Sequence, residues 1–220
     1  MNIHTIILAG GKGTRMLSQK AKVLQALGGR TMLNHVMTAA NKISNKISVV
    51  VGFDKEGVEE EIKKIGINAD TFLQKEQIGT ADAVKTTLKD IDKNEKILIL
   101  YGDVPLIKEE TLKKLCNQES DLSILTTNLE NPTGYGRTLK DKENNVLGII
   151  EEKDADSEQK KIKEIFTGIL VAKGSVLKKY IPEINNNNSA KEFYLTDLIS
   201  IAYKNGFKIN TLSSSNEETA

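Results

Sequence analysis

Short apolar segments alternate with helix-period segments along the first half of the chain. The segments 5–8, 48–51 and 97–100 are almost entirely apolar, which is typical of strands buried on both faces. Between these strands, apolar residues recur at the spacing of one helical face, at Leu33, Val36, Met37 and Ala40, then at Val58, Ile62 and Ile65, then at Ala81, Val84 and Leu88. The last of these helices is predicted to run from about Thr80 to Lys89. The alternation predicts an α/β fold with a mostly parallel central sheet and helices on both faces.

The second half of the chain has a different pattern. Strands are predicted at 122–127, 146–150 and 165–172, with a turn-rich stretch at 131–137 and a charged stretch at 151–164. A late helix is predicted from the apolar spacing of Leu195, Leu198, Ile199 and Ala202, with Gly206 as its stop. Because the sequence has no clear linker, we predict a single domain over residues 1–220 with a smaller second lobe. The last residues, 213–218, are polar, and we expect them to be frayed.

Charge and composition exclude several classes of protein. The 220 residues carry 31 basic and 30 acidic side chains, and a net charge of +1 gives no basic surface for nucleic acid or an anionic membrane. The single cysteine, Cys116, excludes a disulfide within the chain, and its helix-like surroundings indicate a buried packing residue. No apolar run approaches the ~20 residues of a membrane span, and the first residues lack a signal-peptide pattern, so we expect a cytoplasmic protein.

Three glycines follow the first predicted strand, and glycine lets a backbone approach a phosphate closely. Gly10, Gly11 and Gly13 can direct N–H groups at an anion, and Arg15 and Lys22 add cations nearby. The loop matches neither the Walker A sequence nor the dinucleotide-binding motif, whose third glycine it lacks. A phosphate-handling loop is predicted, and from these residues alone a glycine-rich turn with incidental charges is the alternative.

A carboxylate ends the third apolar strand. Asp103 is expected at the same sheet edge as the glycine loop, because ligands collect where the carboxyl ends of parallel strands meet. An acid there is poorly placed for packing, whereas Mg²⁺ would satisfy it and connect it to substrate oxygens. The alternative is an aspartate that caps a turn or helix before Pro105.

Motifs spread over most of the chain resemble one family of enzymes. They are Leu8-Ala9-Gly10-Gly11-Lys12-Gly13-Thr14-Arg15-Met16 with Lys22-Val23-Leu24, Gln74-Lys75-Glu76-Gln77-Ile78-Gly79-Thr80-Ala81, Leu100-Tyr101-Gly102-Asp103-Val104-Pro105-Leu106, Asn131-Pro132-Thr133-Gly134-Tyr135-Gly136-Arg137, Ile150-Glu151-Glu152-Lys153-Asp154 and Phe193-Tyr194-Leu195-Thr196-Asp197. In this order they are similar to the pyrophosphorylase domain of bacterial N-acetylglucosamine-1-phosphate uridyltransferases of the GlmU type. The resemblance implies a Rossmann-like nucleotidyltransferase fold with a smaller sugar-binding lobe. It also implies that UTP and N-acetylglucosamine 1-phosphate react by in-line attack on the α-phosphate, giving UDP-N-acetylglucosamine, a cell-wall precursor, and pyrophosphate.

The same resemblance implies roles for individual residues. Arg15 and Lys22 would be catalytic, and Asp103 would hold Mg²⁺. The implied nucleotide-binding residues are Leu8, Ala9, Gly10, Gly11, Gly13, Gln74, Gln77, Gly79 and Thr80. The implied sugar-binding residues are Tyr101, Gly102, Gly136, Glu151 and Thr167. We expect Arg15→Ala and Asp103→Ala each to lower kcat by at least ~100-fold, as loss of a charge-stabilising group often does.

The chain departs from the family pattern at several positions. Phe166 stands where the family usually has an asparagine that contacts the sugar, and Ala21 replaces a proline. Gly10 replaces a more usual alanine, and glycine there is common in thymidylyl- and glucose-specific relatives. A related enzyme with another sugar or nucleotide is therefore one alternative, and a nucleotide-sugar binding module without turnover is another.

The position of the last residue, Ala220, also bears on the resemblance. In the family, a second metal-ligand segment and a left-handed β-helix would follow, and that β-helix performs acetyl transfer and forms a trimer. We therefore expect a truncated domain that lacks acetyltransferase activity, has an incomplete metal site and is a monomer.

Overall fold

The computed structural model describes residues 2–13 and 20–219. Its strands are β1 (Ile3–Leu8), β2 (Ala26–Leu27), β3 (Arg30–Thr31), β4 (Lys46–Val51), β5 (Asp70–Leu73), β6 (Lys96–Tyr101), β7 (Leu122–Asn128), β8 (Arg137–Lys140), β9 (Val146–Ile150), β10 (Glu164–Lys173) and β11 (Ile209–Ser213). Its helices are α1 (Met32–Asn41), α2 (Lys55–Ile65), α3 (Thr80–Lys85), α4 (Glu109–Cys116), α5 (Gly174–Tyr180), α6 (Asp197–Lys204) and α7 (Asn216–Thr219). Short 3-10 helices cover Lys22–Leu24, Gln159–Lys161 and Ile181–Glu183.

The main sheet follows the strand order β11-β7-β10-β6-β1-β4-β5. The adjacent strands β6, β1, β4 and β5 run parallel to one another, and β11 runs parallel to β7. β10 pairs antiparallel with both β6 and β7, so along this path of the described chain it alone opposes the other strands. The hairpin of β8 and β9 attaches to β10. The prediction of a mostly parallel sheet is therefore confirmed.

Both faces of the sheet are buried. Alternate residues of its central strands point to opposite sides, and each side packs in a core of its own. In β6, Ile97 and Ile99 belong to a core with α3, α5 and α6. Leu98 and Leu100 belong to a second core with α1, α2 and α4. Helices on both faces were predicted and are confirmed. Cys116 is buried in the second core, and this burial raises the pKa of its thiol to about 11, as suits a packing residue.

The strands that the sequence pattern does not predict lie at the margins of the sheet. β5 and β11 are its outermost strands, and their side chains are mostly exposed or half-buried, so no apolar run marks them. The helix predicted over 80–89 ends at Lys85. The hydroxyls of Thr86 and Thr87 there donate to the carbonyls of Ala83 and Val84, a local bonding that competes with continued helix.

The polar composition of residues 213–218 predicts a frayed end, but this expectation is wrong. Glu218 and Thr219 are buried on α7. Glu218 accepts a hydrogen bond of 2.7 Å from the Thr111 hydroxyl and forms an ion pair with Lys108 at 3.2 Å. The Ser214 amide also donates to the Thr126 carbonyl. Polar partners on β7, on α4 and just before α4 therefore hold this segment in place.

Candidate functional site

The backbone of residues 8–13, called here the glycine floor, begins at the last residue of β1 and continues into the loop after it. Neighbouring strands hold it in place, because the Ala9 amide donates to Val50 and the Leu8 carbonyl accepts from Gly102. The Gly10 carbonyl accepts from the Phe53 amide. A side chain on Gly10 would lie 3.2 Å from Gln74 Oε1, whereas one on Gly11 would meet nothing within 4 Å. Within the glycine floor, Gly11 is therefore exposed and leaves open space beside its backbone, whereas Leu8, Ala9 and Gly10 are buried.

The turn between β5 and α3 borders the glycine floor and carries two glutamines. Gln74 is buried, and its Nε2 donates to the Gly79 carbonyl and to Asp82 Oδ2, both at 3.0 Å. The exposed Gln77 donates through Nε2 to the Gln74 carbonyl at 3.1 Å. Gly79 has a φ of +136°, and a Cβ there would collide with the backbone of Phe193, so this position requires glycine.

Lys22 and Asp103 meet at the other end of the glycine floor. Lys22 Nζ lies 2.7 Å from Asp103 Oδ2, and both side chains are partly exposed. Gly13, with a φ of +60°, packs closely against the Lys22 side chain. The structure therefore brings the predicted catalytic lysine and the predicted metal ligand together. Arg15, the other predicted catalytic residue, lies outside the described residues.

The replacement of proline by Ala21 is accommodated locally. Ala21 has φ −54° and ψ 142°, the backbone conformation that proline favours. Its amide donates to Asp54 Oδ2 at 3.1 Å, a bond that proline could not make. Ala21 thus keeps the geometry before Lys22 and gains a hydrogen bond.

A cleft of about 500 Å³ opens beside the Lys22–Asp103 pair. The residues that line it include Tyr101, Gly136, Glu151, Phe166, Thr167 and Thr196, with Glu217 and Glu218 from the C-terminal segment. Predicted sugar residues therefore line one cavity, with one exception. Gly102 packs against Leu8 and Val23 and is absent from the described lining.

Glu151 is the acidic group of the cleft wall. Its Oε1 accepts a hydrogen bond of 2.9 Å from the Thr196 hydroxyl. Burial raises the pKa of Glu151 above the ordinary glutamate value, and the bond from Thr196 offsets part of that rise. Thr196 lies 45 residues away in sequence, so the glutamate motif alone could not have identified it.

Two further predicted residues of the cleft have their hydroxyls engaged within the protein. Thr167 Oγ1 donates to the Leu125 carbonyl at 2.9 Å, so only its remaining lone pair and backbone are available to a ligand. Burial raises the pKa of Tyr101 and so keeps its phenol protonated, while a hydrogen bond with Thr80 acts in the opposite direction. The Tyr101 ring also lies over Gly168, where a Cβ would come within 2.7 Å of it.

Arg137 is the last residue of the turn-rich stretch 131–137, part of which lines the cleft. Its side chain is 1% exposed and pairs with Glu152 at 2.6 Å. The same Glu152 accepts from the Gly134 amide, and Arg137 also donates to the Tyr135 carbonyl. Arg137 is therefore a structural residue that holds the loop carrying Gly136.

The described part of the chain holds no cluster of metal-ligating side chains. Within it, no three His, Cys, Asp or Glu side chains converge. Asp103 therefore stands as a single carboxylate next to an ammonium group. In the same part of the chain, no helix has both the length and the apolar character needed to cross a membrane.

Comparison with known proteins gives curated relatives of similar sequence. The bifunctional protein GlmU of Ruthia magnifica subsp. Calyptogena magnifica is 44% identical over 218 residues, which are 98% of this chain and 48% of that protein. The bifunctional protein GlmU of Francisella tularensis subsp. novicida (strain U112) is 44% identical over 220 residues, which are 99% of this chain and 48% of that protein. The chain thus spans about half the length of these relatives.

Solved structures with a similar fold and one protein family also match the chain. A candidate glucose-1-phosphate thymidylyltransferase from Bacillus anthracis, in complex with sucrose, superposes with a TM-score of 0.76 at 20% identity, covering 97% of this chain and 87% of that one. A UDP-glucose pyrophosphorylase complexed with UDP-glucose gives a TM-score of 0.79 at 14% identity, covering 97% and 91%. These neighbours confirm the predicted Rossmann-like nucleotidyltransferase fold. Residues 5–158 match the family model for this fold, and the chain therefore belongs to the family of MobA-like NTP transferase domains.

Proposed function

We propose that the chain is a sugar-1-phosphate uridylyltransferase that makes UDP-N-acetylglucosamine and pyrophosphate from UTP and N-acetylglucosamine 1-phosphate. The observation that carries this proposal is the Lys22–Asp103 pair, which stands where the glycine floor meets the cleft. The surface expected to bind phosphates and the cavity of about the size of a sugar thus meet at one pair of charged side chains. The 44% identity to two GlmU proteins supports the choice of substrates.

The reaction requires little covalent chemistry from the protein. The sugar phosphate oxygen is already an anion, so it attacks the α-phosphorus of UTP without a general base, and pyrophosphate leaves with the bonding electron pair. The main obstacle is the repulsion of two crowded anions. Lys22 is placed to neutralise both phosphates at once, and the backbone of Gly11 leaves room for them to approach.

The residues at the junction fit Mg²⁺. This ion usually keeps several waters and binds one or two carboxylates together with substrate phosphates, and the carboxylate of Asp103 is a ligand of that kind. When bound, Mg²⁺ would neutralise triphosphate oxygens. Asp103 also accepts from Lys22, and so it orients the ammonium group toward the phosphates.

The two ends of the site suit the two parts of the product. Gln74, beside the glycine floor, has an amide that can pair with the edge of a base. Glu151 in the cleft can accept hydrogen bonds from sugar hydroxyls, since its second oxygen, Oε2, faces the space beside Gly136. We assign the uridine to the first end and the N-acetylglucosamine to the second.

Pyrophosphate release tests the proposal. It is measured with UTP, CTP, ATP, GTP and dTTP, each against several sugar 1-phosphates, with and without Mg²⁺. We expect turnover that is selective for UTP with N-acetylglucosamine 1-phosphate and depends on Mg²⁺. Nucleotide binding without turnover in excess Mg²⁺ would contradict the proposal and would favour a binding module.

A second candidate is the same reaction with a different sugar 1-phosphate, and Phe166 favours it. This side chain lines the cleft but is only 5% exposed, and it packs into the core beneath. It offers an apolar surface with no hydrogen-bonding group. Faster turnover of a sugar phosphate other than N-acetylglucosamine 1-phosphate in the same assay would establish this candidate.

A further inference from the structure

The amide of Gln74 is held between two groups that can only accept hydrogen bonds. Its Nε2 lies 3.0 Å from the Gly79 carbonyl and 3.0 Å from Asp82 Oδ2. A carbonyl and a carboxylate both require donors, and the amide nitrogen of glutamine supplies two N–H groups. The contacts therefore use the full donor capacity of Gln74.

This arrangement fixes which way the amide faces. Rotation of the amide by half a turn would put Oε1 against the Gly79 carbonyl and the Asp82 carboxylate, and three acceptors would then face one another without a proton. Such a loss of hydrogen bonds is unfavourable at a buried group, because each unpaired partner has lost its water without gaining a donor. Gln74 is 5% exposed, so water provides little compensation.

The orientation leaves Oε1 as the group that faces the glycine floor. A Cβ on Gly10 would lie 3.2 Å from this oxygen, so the bare backbone of Gly10 borders it. No donor among the described residues forms a hydrogen bond with Oε1. A base lying along the floor thus meets a fixed acceptor.

We propose that Asp82 is a positioning residue for base selection, acting through the Gln74 amide. The fixed acceptor suits a base with a ring N–H at its pairing edge, as in uracil and thymine. Cytosine carries an unprotonated ring nitrogen at that position, and two acceptors would then face each other. The inference rests on the proposed function and adds to it a residue outside the motifs that predicted the site.

The charge of Asp82 also affects the helix that carries it, and this effect must be distinguished from its contact with Gln74. It lies in the first turn of α3, where a negative charge interacts favourably with the helix dipole. Asp82→Asn removes the charge but keeps an acceptor oxygen within reach of Gln74. Asp82→Ala removes both, so the two variants distinguish a charge effect from a hydrogen-bonding effect.

The experiment measures the affinities of the full chain for UTP and CTP by titration calorimetry in Mg²⁺. For Asp82→Ala we expect the ratio of the two affinities to fall about 10-fold, because only the Gly79 carbonyl then holds the orientation of the Gln74 amide. Asp82→Asn should keep the wild-type ratio to within about 2-fold. In a Gln74→Ala background, Asp82→Ala should change the ratio no further, because the two residues act as one unit.

Glu110→Ala serves as the matched control, since Glu110 is an exposed acid in the first turn of α4. We expect it to leave the ratio unchanged. An unchanged ratio in Asp82→Ala, an equal loss in Asp82→Asn, or the same loss without Gln74 would each overturn the inference while leaving the proposed function intact. A wild-type chain that binds neither nucleotide would overturn both.

Discussion

The end of the site proposed for the nucleotide and the end proposed for the sugar are built in different ways, and they are called here the nucleotide end and the sugar end. The nucleotide end consists of backbone: a Cβ on Gly52 would lie 2.8 Å from the Gly10 carbonyl oxygen of the glycine floor, and a Cβ on Gly79 would collide with the backbone of Phe193. The sugar end consists of side chains from β6, β10 and the loops around β8 and β9. Tight backbone contacts leave little freedom for substitution, whereas side chains can be exchanged one at a time. Phe166 at the sugar end introduces a large aromatic side chain, whereas the departures at the nucleotide end, Gly10 and Ala21, are limited to small residues.

The junction between the two ends is the place where the largest effect is expected. Asp103→Ala should lower kcat by at least ~100-fold, because it removes the proposed Mg²⁺ ligand and releases Lys22. Lys22→Ala should lower kcat by a similar factor. Initial rates of pyrophosphate release measure both. The role assigned to the junction would be wrong if either variant kept a near-normal kcat at saturating substrates.

A carboxylate substitution at the sugar end should affect one substrate only. Glu151→Gln is expected to raise the KM for the sugar phosphate about 10-fold, through loss of a charged acceptor, with the KM for UTP almost unchanged. Steady-state kinetics with each substrate varied in turn provides the measurement. Equal increases in both KM values would show that the two ends are not separable.

The same variant has a predictable effect on stability. Because burial raises the pKa of Glu151, the folded chain binds more protons than the unfolded chain between the ordinary glutamate pKa and the raised one. Stability from this group therefore falls as the pH rises through that window. Glu151→Gln removes the loss, so its melting temperature should exceed that of the wild type above the window and equal it below. Thermal unfolding between about pH 4 and pH 8 tests the sign.

A single methyl group at the nucleotide end should weaken binding without weakening the fold. Gly11→Ala has open space around its Cβ and no positive φ, so we expect an unchanged melting temperature. The methyl group would stand where phosphates approach the backbone, and the KM for UTP should rise about 5-fold. Gly79→Ala is the contrasting variant, since it collides with Phe193 and should lose about 2 kcal/mol of stability or more. Equal stability losses in the two variants would contradict the open floor.

The smallest effect is expected at the C-terminal wall of the cleft. Burial acts to raise the pKa of Glu218, but hydrogen bonds from Thr111 and Lys108 outweigh it and lower the pKa overall. The stabilisation is therefore present above the ordinary glutamate pKa and is lost as the pH falls through the lowered one. Glu218→Gln should cost about 1 kcal/mol near neutral pH and change the KM for the sugar phosphate by about 2-fold. Denaturant unfolding at neutral and acidic pH would detect it, and a cost that persists at acidic pH would argue against the ionic contribution.

The two ends also differ in how far the sequence predicts them. The glycine floor is contiguous in the chain and follows an apolar strand, so pattern and local chemistry identify it together. The partnership of Glu151 with Thr196 depends on how β9 and the segment before α6 meet, and no local pattern encodes that distance. The link from Gln74 to Asp82 is short in sequence, but it requires the turn at Gly79 to bring the helix back to the amide.

The fold shows the same division. The central strands carry apolar runs on both faces and are predicted, whereas β5 and β11 lie at the edges, where exposure removes the signal. The antiparallel course of β10 has no signature in its own residues. Its direction follows from its pairing with β6 on one side and β7 on the other, which is a property of the assembled sheet.

Thr80 joins the two ends, and this has a consequence for anyone who mutates the site. Its hydroxyl accepts from the Leu195 amide at 2.9 Å and also bonds with Tyr101, which lines the cleft, while its own position opens the helix beside Gly79. A change at Thr80 will therefore alter the kinetics of both substrates together. Kinetic data from variants at this position will therefore not separate the two ends of the site, whereas substitutions confined to one end will.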